Sequence, residues 1–288
     1  MLPYYLGCPS WSEPAWRGVL YPQGSASAER LSYYAQVFNA VEGNTTFYAA
    51  PSPDTVALWA QRMPAHLRFC AKLPREISHG GDLREHIDAV SDFRQLLAPL
   101  GARVSPMWLQ LSASFSPQRL AELAAFIEPW GSGEIAVEVR HPAFFAKGEE
   151  ERQLNRLLHE RGIERISLDS RALFSCVSTD PALLHAQAKK PRLPVRPTAF
   201  SQAPQVRFIG HPELAANDRF MQPWLAKVAA WIEEGRTPYV FLHTPDNHLA
   251  PQLAARFHQQ LQLRLPGLAD LPAWPEADTE ASQQLGLL

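Results

Sequence analysis

Ile135-Ala136-Val137-Glu138-Val139-Arg140-His141-Pro142 begins as a short apolar strand and closes on three groups able to carry charge. Side chains two apart on a strand share a face, so Glu138 and Arg140 point the same way. A strand covered on both faces reads as an unbroken apolar run. Two charged residues in its second half therefore mark either a buried ion-pair network or the mouth of a site. Other strands of the chain end in the same way, and that repetition decides the fold.

Toward the N-terminus, residues 4–8, 40–44, 67–72 and 107–111 read as strands, and toward the C-terminus so do 166–169, 206–209 and 239–242. Between them lie helical patterns. Leu31, Tyr34, Ala35 and Phe38 share one face, as do Val56, Trp59 and Met63. The run Glu149-Glu150-Glu151 opens a helix whose first turn is acidic. Phe220, Met221, Trp224, Leu225, Val228, Trp231 and Ile232 give the clearest amphipathic helix. Strand then helix, eight times over, implies a parallel sheet with helices outside. The expected fold is α/β, a (β/α)8 TIM barrel, formed by one domain over residues 1–266. A doubly wound sheet is the alternative, but no GxGxxG follows the first strand. Two segments fall outside the pattern: a long basic loop at 170–205, with no acidic residue between Pro181 and Pro212, and a flexible C-terminal tail at 267–288.

The formal net charge of −2 does not announce a nucleic-acid binder, although it leaves room for a local basic patch. Cys8, Cys70 and Cys176 show no metal-ligand spacing, which fits reduced thiols and a cytoplasmic location. The N-terminus has no basic region ahead of a sustained apolar core, so no signal peptide is expected, and no apolar run has the length of a membrane span.

Barrel chemistry sits at the C-terminal strand ends. The polar residues expected there are Glu42, Asn44, Lys72, Gln110, Glu138, Arg140, His141, Asp169, Arg171, Arg207, His211, His243 and Asp246, with Tyr48 nearby. Lys72, Arg140 and Arg207 suit a phosphate or carboxylate, and the histidines are able to add charge. Glu138, Asp169 and His141 are the candidate acid/base groups. The bland alternative for Glu138 with Arg140, or Asp169 with Arg171, is a structural ion pair. No cofactor is expected. Glu42, Glu138 and Asp169 are of the type that ligate a divalent metal, but no HxH or HExxH spacing exists and the neighbouring cations would repel one. Lys189, Lys190, Arg192 and Arg196 read either as a solvated cap or as a basic track for nucleic acid.

Several ordered motifs carry a resemblance: Glu42-Gly-Asn44-Thr-Thr46-Phe47-Tyr48, Phe69-Cys-Ala-Lys72-Leu-Pro74, Trp108-Leu-Gln110, Val137-Glu138-Val-Arg140-His141-Pro142, Leu168-Asp169-Ser-Arg171, Arg207-Phe-Ile-Gly210 and Phe241-Leu-His243-Thr-Pro245-Asp246. Together they resemble the YecE-like proteins, a family of unknown function, over nearly the whole chain. The resemblance implies a TIM barrel with these motifs clustered at its mouth, and it implies no activity. His243 departs from the Asn that many relatives carry. Two functional expectations follow. The first is a phosphate-bearing ligand, nucleic acid or nucleotide, held by Glu42, Asn44, Tyr48, Lys72, Gln110, Arg140, Arg207 and His243. The second is an enzyme of isomerase or hydrolase type acting on an anionic metabolite. Gln284, Leu285, Leu287 and Leu288 form an ending that resembles the peptide signature of bacterial sliding-clamp ligands, against the simpler expectation that these leucines fold back onto the barrel.

Overall fold

Short runs rich in β-branched and aromatic residues become strands because such side chains fit a pleated, buried surface. In the computed structural model, which describes residues 2–274, these strands are β1 (Tyr5–Cys8), β2 (Ala40–Gly43), β3 (Arg68–Ala71), β4 (Met107–Gln110) and β5 (Ile135–Glu138). They continue as β6 (Glu164–Arg165), β7 (Ser167–Asp169), β8 (Gln205–Ile209) and β9 (Tyr239–His243). One sheet has the order β3-β2-β1-β9-β8-β7 and the other β4-β5-β6, with every pairing parallel. Parallel neighbours need long crossovers, and the helices between the strands supply them.

The sixth strand, expected at 166–169, begins two residues earlier and is divided at Ile166. Glu164–Arg165 pairs with β5, and Ser167–Asp169 pairs with β8, with Ile166 between them. A single stretch of chain thus passes from one sheet to the other. At the opposite edges, Leu73 N donates to Trp108 O at 2.9 Å, next to a parallel bridge between Lys72 and Trp108.

Register stacks the interior. Ala40, Cys70, Trp108, Ala136 and Phe241, drawn from both sheets, pack into one apolar cluster. Two residues further along the same strands come Glu42, Lys72, Gln110, Glu138 and His243, all buried. Period-two alternation therefore places a polar layer directly above an apolar floor. The larger core lies between the sheets and the helices and includes Leu6, Val41, Phe69, Leu109, Val137, Val206 and Val240. Gly7 permits the close approach of β1 and β2, since a Cβ there would lie 2.1 Å from Ala40 O.

The basic segment is more ordered than a loop. Asp180 caps a helix over Pro181–Lys189 by accepting from Leu183 N at 2.9 Å, with Pro181 in the favoured first turn. Ala182, Leu183, Leu184, Ala186 and Ala188 are good helix formers, so propensity prevails over the flanking prolines. Of the expected tail, the described part stays close to the fold. Leu268 is buried, Leu271 and Trp274 pack on the core, and Ala269 O lies 2.9 Å from His258 Nε2. Gln284, Leu285, Leu287 and Leu288 lie outside the described residues. Among the described residues no helix is long and apolar enough to cross a membrane.

Candidate functional site

Arg207 stands at the centre of the polar layer, fully buried. Its Nε and Nη2 donate to Glu42 at 3.0 and 2.5 Å, and its Nη1 donates to Glu138. The two carboxylates come from different sheets, so this guanidinium ties the sheets together across the interior. Glu42 also receives Lys72 Nζ at 2.7 Å and faces His243 Nε2 at 2.7 Å. Lys72 Nζ donates further to Asn44 Oδ1 at 2.6 Å and to Gln110 Oε1 at 3.3 Å. Arg140 sits higher, with Nε 2.7 Å from Glu138 Oε1. Arg207 and Lys72 both lie over the Trp108 ring, at 5.4 and 5.5 Å from its centroid. A cation gains from a ring face, and more so where water is excluded.

Burial alone would push the Glu42 and Glu138 carboxyls up, but their neighbouring cations outweigh it and hold both well below the ordinary range. For Lys72, burial and then Arg207 outweigh the attraction of Glu42 and Glu138 and bring the ammonium down to about 8. Burial lowers His243 to about 4, against the pull of Glu42, so it is neutral at pH 7 and does not join the cations. The layer thus holds three cations, Lys72, Arg140 and Arg207, against two carboxylates.

Above this layer opens a cavity of about 430 Å³, lined by Asn44, Phe47, Tyr48, Lys72, Arg75, His79, Gln110, Arg140, Lys189 and Lys190. Among the described residues no carboxylate lines it. Glu138 lies beneath, bound by Arg140 and Arg207, and Glu42, bound by Lys72 and Arg207, lines the adjacent cavity. Tyr48 is 72% exposed at the rim. Asn44 is shared with a second cavity of about 560 Å³ walled by Trp11, Trp59, Leu58 and Pro51.

A family model described as protein of unknown function DUF72 matches residues 5–278. The chain belongs to the DUF72 family. It is 43% identical over 273 residues to the UPF0759 protein YecE of Escherichia coli K12, covering 94% of this chain and 97% of that protein. Among solved structures, it is similar to a DUF72 protein from Thermotoga maritima, with a TM-score of 0.66, 21% identity and coverage of 90% and 99% of the two chains. A second DUF72 protein, from Enterococcus faecalis, gives 0.64 at 19% identity, with 92% and 98% covered. These structures share the fold with this DUF72 chain.

The strand-end candidates divide into two groups. Glu42, Asn44, Lys72, Gln110, Glu138, Arg140, Arg207 and His243 come together. Asp169 does not join them. Leu168, not Asp169, is level with Arg207 in the β7–β8 register, so Asp169 turns to the helix layer. There it accepts from Trp224 Nε1 at 2.7 Å and from Arg171 Nη2 at 2.7 Å. His141 accepts from Ala143 N at 3.3 Å, and His211 Nδ1 accepts from Glu213 N at 3.0 Å, each shaping a turn. Asp246 pairs with His248 at 3.0 Å. Cys8 and Cys70 are buried, and burial pushes their thiols up, away from reactivity.

The cations of the basic segment diverge. Arg196 Nε binds Glu151 at 2.6 Å, Arg192 lies 5.6 Å from the centroid of the Phe174 ring, and Lys190 enters the mouth. They do not form one continuous basic strip. Arg75 and His79 are cavity residues outside the strand-end set. Their signal was a four-residue spacing just after Lys72-Leu-Pro74, which places both on one face of the short helix Arg75–His79. Among the described residues, no three His, Cys, Asp or Glu side chains are grouped to hold a metal.

Proposed function

We propose that this DUF72 protein binds a phosphate-bearing small molecule, a nucleotide or a phosphosugar, in the mouth cavity. We further infer that the two parallel sheets are arcs of one eight-stranded barrel, supported by the Lys72–Trp108 bridge on one side and the shared sixth strand on the other. The observation that carries the ligand reading is a cavity with Lys72, Arg75, Arg140, Lys189 and Lys190 in its wall and, among the described residues, no carboxylate. Such a wall concentrates positive potential in a low-dielectric recess of a chain whose net charge is −2. Arg207 organises this site without touching the ligand, because its guanidinium is buried and bound to Glu42 and Glu138. The neighbouring aromatic cavity gives a sugar ring or base room to stack beyond Asn44. Divergence of the loop cations favours a compact ligand over a long nucleic-acid strand.

The test is a melting-temperature series with inorganic phosphate, ribose 5-phosphate and AMP, against chloride at matched ionic strength. Ligand at a hundredfold excess over Kd stabilises by about 2.7 kcal/mol, or several degrees. Equal melting temperatures in all four would sink the reading. A second reading, an enzyme acting on an anionic metabolite, draws on Lys190. Glu138 is held as a carboxylate by two arginines, and Asp169 lies on the helix side.

A further inference from the structure

Lys190 follows the helix Pro181–Lys189, and its backbone is fixed on both sides. Its N–H donates to Ala186 O at 3.0 Å, and the carbonyl of the next residue, Pro191, accepts from Ser170 Oγ at 2.7 Å. The side chain is half-buried and lines the mouth cavity. Among the described residues its Nζ has no hydrogen-bond or ion-pair partner. Its charged surroundings are Lys72, Arg140 and Arg207, with Glu42 already bound to Lys72 and Arg207 and His243 neutral beyond it. Arg75, His79 and Lys189 complete the wall. Lys72, in the polar layer below, has its ammonium bound by Glu42, Asn44 and Gln110.

We propose that Lys190 is an imine-forming residue, its ε-amine condensing with the carbonyl of a phosphorylated aldehyde or ketone held in this cavity. The proposal rests on the anion-binding reading above and adds the reacting group to it. A lysine placed among other cations and away from carboxylates is driven to its neutral, nucleophilic form. Burial, with Arg207 and Lys72, brings Lys190 down to about 7. The amine lone pair attacks the carbonyl carbon, and the carbonyl oxygen takes up a proton to give a carbinolamine. Nitrogen then loses a proton, and the hydroxyl leaves with another as water. The net change is amine, carbonyl and one proton to iminium and water. The cationic iminium is stabilised by the ligand's own phosphate, held by Arg140 and Lys189. Ketone or aldehyde without the phosphate lacks that anchor.

The chain has five lysines, Lys72, Lys147, Lys189, Lys190 and Lys227, so adducts are readily mapped. The full chain is incubated with glyceraldehyde 3-phosphate, or with glyceraldehyde, in the presence of cyanoborohydride, and the adducts are located by peptide mass mapping. The expected result is a single dominant adduct on Lys190, formed at least tenfold faster with the phosphorylated aldehyde. Its rate rises through about pH 7, where Lys190 loses its proton. Lys190→Arg, which keeps the positive charge without a nucleophilic amine, should abolish it, and Lys190→Met should abolish it too. Labelling spread evenly over Lys147, Lys189 and Lys227, or undiminished in Lys190→Arg, overturns the imine. Stabilisation by phosphate with no adduct overturns the imine alone, and absence of both removes the anion site as well. Equal rates with the two aldehydes overturn the phosphorylated substrate class.

Discussion

Arg207 and Arg140 share Glu138 yet differ in what they do. Arg207 is wholly buried and holds carboxylates from both sheets, so Arg207→Met leaves two buried charges without their main partner. Breaking such a pair typically costs about 3–5 kcal/mol, and urea unfolding should show a loss of that size. Arg140 lies at the rim with its side chain 15% exposed. Arg140→Met should lose less, about 1.5–3 kcal/mol, and should remove most of the stabilisation by phosphate. If the two variants lose equal stability and both keep the phosphate response, the division of roles is wrong. His243 gives a pH signature. Its folded-state pKa is depressed to about 4 by burial, so stability is fully present above the unfolded value near 6.5 and falls as pH drops from there toward 4. His243→Asn removes one such proton. Its stability profile between pH 6.5 and 4 should be flatter than the parent's by up to about 1.4 kcal/mol per pH unit, and parallel profiles would show that His243 is protonated in the fold.

At the level of elements, two small features set the geometry. Gly7 lets β1 and β2 close on one another, and Tyr34 from the helix Arg30–Val37 locks that contact, its hydroxyl donating to Ala40 O at 2.6 Å and accepting from Cys8 N at 2.8 Å. Gly7→Ala should destabilise by about 1–3 kcal/mol, as overpacking does, measured by thermal or urea unfolding. Asp180 holds the helix that delivers Lys190. Asp180→Ala should cost about 1 kcal/mol locally, seen as faster amide exchange over residues 181–190 and a weaker phosphate response. Unchanged exchange in that segment would mean the cap is not what positions Lys190. The divided sixth strand has a similar local logic. Glu164 at its start accepts from Phe200 N, Ser201 N and Ser201 Oγ, each at 3.0 Å, which pins the return of the basic segment to the sheet edge.

Across the whole molecule, the positive mouth sits on a chain of formal charge −2, so binding there should respond to salt. Raising chloride from about 0.1 M to about 1 M shortens the Debye length from about 10 to about 3 Å. The melting-temperature gain from a fixed phosphate concentration should shrink accordingly, and a gain that is independent of salt would place the ligand elsewhere. The alternation of apolar runs and helical stripes determined the α/β class from local pattern alone. The spacing of two between Ala40 and Glu42, Cys70 and Lys72, Trp108 and Gln110, and Ala136 and Glu138 likewise determined that these polar groups share a face, because strand parity is a property of neighbouring residues. Only the tertiary structure decided which strand stands opposite which. Register between β7 and β8 turned Asp169 toward Trp224, and the helix Pro181–Lys189 folded a surface-looking lysine into the mouth. Both outcomes come from contacts between residues distant in sequence, and no local periodicity encodes those contacts.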